Sequence, residues 1–125
     1  MKNKRTYEVE ASIKDDILEL VWTGDISEND SHQTMMNEII DIEKSANVRK
    51  KLVDIRNLTG RLDIVEIYDF VRNYPPDRPR MKTAMVDILE HADTAAFHEA
   101  TAINAGLSFK WFTDIDKART WIKSK

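Results

Sequence analysis

The chain has 125 residues, with 19 Lys and Arg against 22 Asp and Glu, a net charge of −3 and no cysteine. This length is typical of one domain, so we expect residues 1–125 to form a single one. The lack of cysteine excludes disulfides and thiolate metal sites. The mixed, slightly acidic charge disfavours general nucleic-acid binding, and no apolar run reaches the about 20 residues of a membrane span.

The chain begins with a predicted β-hairpin. Tyr7–Ile13 alternates apolar and polar residues, as a half-buried strand does. Lys14–Asp16 has turn composition, and the apolar segment Ile17–Thr23 follows it. Two strands separated by a short turn form an antiparallel pair.

An amphipathic helix follows the hairpin. Ser27 and Asp30 resemble a capping box, and the periodic pattern continues to about Ala46. Apolar residues recur with helical spacing and predict one buried side. They are Met35, Ile39, Ile42 and Ala46, flanked by Met36 and Ile40.

Strands and helices alternate through the rest of the chain. The predicted third, fourth and fifth strands are Lys51–Ile55, Lys82–Ile88 and Leu107–Phe112. The second helix has an apolar stripe of Ile64, Ile67, Tyr68, Val71 and Tyr74, and stops at Pro75. The third is capped by Asp93, buries Ala96, Ala100 and Ile103, and ends at Asn104–Gly106. The last is capped by Thr113 or Asp114 and buries Ile115, Ala118, Trp121 and Ile122.

This order, β-β-α-β-α-β-α-β-α, predicts an α/β fold. A hairpin followed by strand–helix alternation gives a mixed, mostly parallel five-stranded sheet covered by helices, with the hairpin at one side. Within the last strand, Phe109 and Trp111 share one face and Phe112 points to the other.

Three stretches resemble a known family. Leu52–Gly60 is similar to the third strand and following loop of STAS domains, and Lys82–Asp87 to their fourth strand. Phe109–Ile122 is similar to the closing phenylalanine, acidic turn, alanine and tryptophan pattern of the SpoIIAA-like branch, small bacterial proteins related to sporulation anti-sigma-factor antagonists. The resemblance implies this fold and a regulatory, partner-binding role.

One position departs from the family pattern. Regulatory STAS members carry an Asp-Ser-Ser/Thr-Gly switch at the start of the second helix, where a hydroxyl is phosphorylated. This chain has Asn57-Leu58-Thr59-Gly60-Arg61-Leu62-Asp63 there, with no serine and with Thr59 as its one hydroxyl. We predict that Thr59 is a turn or capping residue and not a phosphorylation site.

Polar residues follow each predicted parallel strand. Parallel strands place their carboxyl ends at one edge of the sheet, where open α/β sheets bind ligands. The candidate partner or ligand edge comprises Thr23, Asp25, Asp54, Arg56, Thr59, Asp87, His91 and Thr113. The alternative is that these residues are helix caps, turn formers and local ion pairs.

A basic cluster surrounds the proline turn: Arg72, Arg78, Arg80 and Lys82. It is either solvated surface or a rim that attracts an acidic partner. The three histidines, His32, His91 and His98, lack zinc spacing. Serine, histidine and glycine residues also lack the spacing of a catalytic triad or a phosphate-binding loop, so we predict no cofactor, metal or catalytic residue.

Three functions are compatible with these patterns. The leading hypothesis is a cytoplasmic, non-catalytic regulatory module, monomeric or homodimeric, that binds a protein partner or small ligand. The second is a carrier of a small apolar ligand or lipid in a pocket between sheet and helices, lined by Met35, Met36, Tyr68, Phe70 and Phe97. The third is an enzyme, which requires Asp54, Asp87 and His91 to converge.

Overall fold

The computed structural model describes residues 6–28 and 32–124. The strands are β1 (Tyr7–Lys14), β2 (Ile17–Asp25), β3 (Lys50–Asp54), β4 (Leu58–Thr59), β5 (Lys82–Val86) and β6 (Phe109–Phe112). The helices are α1 (His32–Ala46), α2 (Ile64–Arg72), α3 (Ala92–Asn104) and α4 (Ile115–Lys123), with a 3₁₀ turn at Leu89–His91. Among these described helices, none is long and apolar enough to cross a membrane.

The main sheet has the order β1-β2-β3-β5-β6. β1 pairs antiparallel with β2 at one edge, and every other neighbouring pair is parallel. The short β4 lies off this path and pairs in parallel with the end of β2, Gly24 opposite Leu58. The predicted mixed α/β sheet with an edge hairpin is therefore confirmed, with β4 and the 3₁₀ turn as additions.

Helices cover both faces of the sheet and create two cores. The larger core includes Leu20, Met35, Val53 and Met85, with Phe109 and Trp111 packed against it. The smaller core lies beneath α4, where Ala118 and Ile122 pack on Leu52. Phe112 packs against this second core, so the predicted alternation along β6 is confirmed.

The buried faces of α1 and α4 agree with the sequence pattern. Met35 and Ile39 are buried on α1, and Ala118 and Ile122 on α4. Asp114 caps α4 by accepting hydrogen bonds from the backbone N–H groups of the first turn. The predicted cap of α1 involves Asp30, which lies outside the described residues.

The predicted faces of α2 and α3 are wrong in part. Ile64 and Tyr68 are exposed, so α2 buries only Ile67 and Val71 fully. On α3 the three predicted inward residues, Ala96, Ala100 and Ile103, are all exposed, and the helix buries Ala95 and Ala102 instead. Asp93 lies in the first turn of α3, because the helix begins at Ala92 after the 3₁₀ turn.

Candidate functional site at the carboxyl edge of the sheet

Strands β2, β3, β5 and β6 run in parallel, so their carboxyl ends share one edge, as predicted. Asp54 and Asp87 nevertheless lie on opposite faces of the sheet. Asp54 alternates in phase with Leu52 of the α4-side core, whereas Asp87 is in phase with Met85 of the larger core. Successive strand residues alternate faces, so a shared edge does not bring these carboxylates together.

Arg61 organises the larger-core side of the edge. Its guanidinium donates to both oxygens of Asp87, from Nη2 at 2.7 Å and from Nε at 3.1 Å. It also donates to the backbone carbonyls of Ile55, Leu58 and Gly60. Both side chains are nearly buried, 9% and 2% exposed for Arg61 and Asp87. The pair therefore ties the loop before α2 to the end of β5.

Asp54 and Arg56 form a separate pair on the α4 side. Arg56 donates from Nε at 2.9 Å and from Nη2 at 2.8 Å to the Asp54 carboxylate. Burial alone would raise the pKa of Asp54, but the hydrogen bonds from Arg56 outweigh it and lower the pKa below the ordinary 3.8. Asp54 is thus held as a paired carboxylate.

A histidine joins the starts of α1 and α2. The Nε2 of His32 lies 2.6 Å from the Ile26 carbonyl oxygen, and its Nδ1 lies 2.6 Å from the Glu66 carboxylate. Burial alone would lower the pKa of His32, but these two acceptors raise it above 6.5. Glu66 also closes a capping box with Asp63 at the start of α2. His32 therefore fixes the position of the α2 N-terminus.

The predicted turn or capping role of Thr59 is wrong. Thr59 belongs to β4, and its carbonyl accepts a hydrogen bond from the Ile26 N–H at 2.8 Å. Asp63 caps α2 instead. Gly60 follows with φ of +85°, and a Cβ there would lie 2.7 Å from the Ser27 nitrogen. The loop before α2 thus packs directly on the loop after β2.

The remaining predicted edge residues have local roles. Thr23 lies within β2, and Asp25 accepts from the Ser27 N–H at 2.8 Å. His91 occupies the N-cap position of α3 without a side-chain capping bond. Thr113 is exposed beside the Asp114 cap.

Sequence reasoning missed an exposed apolar surface beside this edge. Ile64 and Val65 of α2 are 53% and 65% exposed, and Leu89 is 73% exposed. Tyr68, one turn further along α2, is 46% exposed. The Arg61–Asp87 pair holds the segments that lead to Ile64 and Leu89 together. We call Ile64, Val65, Tyr68 and Leu89 the edge patch.

The rim of the edge patch is acidic around Ile64 and Leu89. Exposed carboxylates flank it on the α2 side at Asp63 and Asp69, and on the α3 side at Glu90 and Asp93. Arg56 and Arg61 are paired with Asp54 and Asp87, but the exposed Arg72 donates to the Tyr68 hydroxyl at 3.0 Å and lies over its ring. The surface therefore presents apolar side chains that carboxylates flank at Ile64 and Leu89, with one arginine at Tyr68.

The predicted basic surface cluster is not formed. Arg78 is only 10% exposed because it pairs with the buried Glu43. Lys82 donates to the carbonyls of Trp121 and Ser124 at the end of α4. Arg72 and Arg80 lie over the rings of Tyr68 and Tyr74.

A cavity of about 130 Å³ lies between the sheet and the helices on the larger-core side. Of the residues predicted to line such a pocket, Met36 and Phe70 do. Met35 is core, Tyr68 is exposed, and Phe97 does not line the cavity. The position of the pocket was predictable, but most of its lining was not.

The enzyme hypothesis required Asp54, Asp87 and His91 to converge. Each carboxylate is instead committed to an arginine, and the two lie on opposite sheet faces. Within residues 6–28 and 32–124, no group of three His, Asp or Glu side chains could hold a metal ion.

Comparison with solved structures identifies the fold. An anti-sigma factor antagonist from Mycobacterium paratuberculosis superposes with a TM-score of 0.64 at 10% identity, covering 95% of this chain and 96% of that one. An uncharacterized DUF3478-family protein with a SpoIIAA-like fold from Shewanella loihica PV-4 gives 0.58 at 18% identity, covering 98% of both chains. No protein-family model and no curated protein matches the chain. The chain has the SpoIIAA-like fold.

Proposed function

We propose that this chain is a non-catalytic, cytoplasmic regulatory module that binds a protein partner through the edge patch. The exposure of Ile64, Val65 and Leu89 beside a rigidly held edge carries the proposal. Apolar side chains that stay in water on a folded domain mark interaction sites when they cluster. The similar structure described as an anti-sigma factor antagonist supports a regulatory role of this kind.

The chemistry of the patch defines the partner. Apolar side chains at the centre of an interface supply most of the affinity, and charged rims supply steering and specificity. Because Asp63, Glu90 and Asp93 flank the patch at Ile64 and Leu89, the partner presents an apolar surface with basic residues opposite these carboxylates. Its association should slow as salt is added, since rim charges are screened.

Single substitutions test the proposal. Ile64→Asp and Leu89→Asp place a charge in the patch and should weaken partner binding about tenfold or more. Ile103→Asp is the matched control, because Ile103 is 52% exposed at the end of α3, near the opposite edge of the sheet. The measurement is the affinity for a partner captured from the native host, with the melting temperature checked for each variant. Equal affinities for all three variants would contradict the proposal.

We further propose that Thr59 does not act as a phosphorylation switch. Thr59 lies in β4 beside Asp25 and four residues before Asp63, and a phosphate there would meet like charge. Intact mass of the protein purified from its native host should show no added phosphate. A stoichiometric phosphate that maps to Thr59 would restore the switch.

A further inference from the structure

The cavity beneath the sheet has a charged end that the proposed partner surface does not use. Its charged lining residues are Lys51, Arg61, Arg78 and Asp87. Arg61 and Asp87 neutralise each other at the carboxyl edge. Lys51 and Arg78 remain at the other end, where both pair with the single carboxylate of Glu43.

Glu43 lies behind these two cations. It is fully buried and is not among the residues that line the cavity. Arg78 donates to it from Nε at 2.6 Å and from Nη2 at 2.9 Å, and Lys51 donates to it from Nζ. Burial lowers the pKa of Lys51, although the carboxylate of Glu43 opposes this shift. When Lys51 is protonated, two cations and one anion leave one positive charge in excess. The wall that faces the cavity at this end is cationic, with donors on Lys51 and Arg78 that Glu43 does not occupy.

His98 also lines the cavity, and it lies close enough to Lys51 and Arg78 for their charges to act on its ring. Its ring stacks on Phe109, with centroids 4.5 Å apart, and neither ring nitrogen has a hydrogen-bond partner in the part of the chain that the structure describes. Burial and the charges of Lys51 and Arg78 lower the pKa of His98 to about 4. At neutral pH the imidazole is therefore uncharged and provides one unpaired N–H donor in a positive potential.

The rest of the cavity is mainly apolar. Leu20, Val53, Phe70 and Met85 contribute to its walls. Two polar lining groups are satisfied within the protein: Thr83 donates to the Met81 carbonyl at 3.0 Å, and Tyr74 to the Pro79 carbonyl at 2.6 Å. The Nε1–H of Trp22, which also lines the cavity, is buried and has no hydrogen-bond partner within the described residues. A dry cavity of about 150 Å³ holds a molecule the size of benzene. The volume of about 130 Å³ therefore suits an apolar group of similar size.

We infer that this cavity binds a small apolar monocarboxylic acid, with its carboxylate at Lys51, Arg78 and His98 and its hydrocarbon part along the sheet. A carboxylate at this end opposes the effect of burial on the pKa of Lys51 and balances the charge of the protonated lysine. These cations are already desolvated and held by Glu43, so they need little reorganisation to accept a carboxylate. This inference does not rest on the proposed partner surface, and either can fail alone.

Hexanoate and hexanol are the probes, since they share an alkyl chain and differ in charge. Titration of the full-length protein at pH 7 should show saturable hexanoate binding with a Kd of about 1 mM or tighter. Hexanol should bind about tenfold more weakly, because it forgoes the charge-assisted hydrogen bonds. Bound hexanoate should also raise the pKa of His98, read from the imidazole signals by NMR.

Two variants, with one control, distinguish the contribution of the charged groups to binding from that of the cavity volume. Lys51→Met should reduce hexanoate affinity about tenfold and change hexanol affinity little, and Glu43 keeps Arg78 as its partner. Lys110→Met, which removes an exposed lysine from β6, is the control and should change neither affinity. Ala95→Leu fills the cavity from α3 and should abolish binding of both probes without lowering the melting temperature. Absence of saturable hexanoate binding, or equal affinity for the two probes, would overturn the inference.

Discussion

At the scale of single residues, two arginines at the carboxyl edge make similar ion pairs with different burial. Arg61 is 9% exposed and holds Asp87 and three carbonyls, whereas Arg56 is 36% exposed and holds Asp54 alone. Removal of one partner from a buried pair leaves an uncompensated charge and several unpaired polar groups. Removal of the Arg56 side chain opens the Asp54 carboxylate, 12% exposed in the pair, to water on that side, and the backbone N–H of residue 56 still donates to it.

Arg61→Met should therefore lower the free energy of unfolding by about 3–5 kcal/mol. Arg56→Met, the matched control, should lower it less, by about 1–2 kcal/mol, because Asp54 is buried but gains access to water and keeps one backbone donor. Urea denaturation at pH 7 measures both. Similar losses in the two variants would show that Arg61 is not the organising residue of the edge.

Two histidines give the stability of the protein a pH dependence of opposite sign. Burial and the charges of Lys51 and Arg78 lower the pKa of His98 to about 4 in the folded protein. Between about pH 4 and pH 6.5 this histidine is therefore protonated in the unfolded chain but not in the folded one. The free energy of unfolding rises with pH over that range. The pKa of His32 is raised above 6.5 in spite of its burial, by Ile26, Glu66 and Asp63. Its contribution is complete below pH 6.5 and is lost as the pH rises through the folded-state pKa.

The contribution of the two histidines to the free energy of unfolding should consequently pass through a maximum near pH 6.5. A pH series of urea midpoints measures it. His98→Gln should flatten the acidic limb above about pH 5, and His32→Gln should flatten the alkaline limb. If neither variant changes the slope of its limb, the two titrations do not control stability.

At the scale of elements, the loop between β3 and α2 depends on a close backbone contact. Gly60 and Gly106 share positive φ angles, +85° and +86°. A Cβ on Gly60 would lie 2.7 Å from the Ser27 nitrogen, whereas on Gly106 it would approach only the flexible Arg80 side chain at 3.9 Å. The two glycines thus separate conformational strain from steric overlap.

Gly106→Ala should cost about 1 kcal/mol of stability, the price of a left-handed alanine. Gly60→Ala should cost clearly more, because the loop must also move away from the loop after β2. Thermal unfolding of both variants decides this. An equal decrease in melting temperature would mean that the contact between the loops is loose.

The element faces show where sequence periodicity succeeds and fails. On α1 and α4 apolar and charged residues alternate clearly, and the predicted faces are buried. On α3, alanines occupy several faces of the helix, so their spacing does not distinguish a buried face from an exposed one. The prediction therefore placed Ala96 inward, whereas Ala95 is the buried residue. On α2, Ile64, Val65 and Tyr68 exceed what one buried face needs. That excess was the available signal for the edge patch.

At the scale of the whole molecule, the order of strands and helices was predictable because each crossover follows from local pattern and the handedness of parallel units. For the candidate site, the sequence predicted only its location at the carboxyl edge of the sheet. The ion-pair partners of charged side chains could not be predicted. Glu43, for example, pairs with Lys51 and Arg78, which come from separate segments of the chain. Pairing between residues that are distant in sequence does not alter the local periodicity. The burial of Glu43 was not predictable either, because glutamate side chains are usually exposed.

Hydrogen–deuterium exchange of the complex with its captured partner tests the central claim most directly. The account predicts new protection of backbone amides in residues 61–69 and 87–93, which carry the edge patch and its acidic rim. Amides in residues 13–17 and 103–108, at the opposite edge of the sheet, should exchange as they do in the free protein. Protection confined to that opposite edge, with residues 61–69 unchanged, would contradict the proposed binding surface.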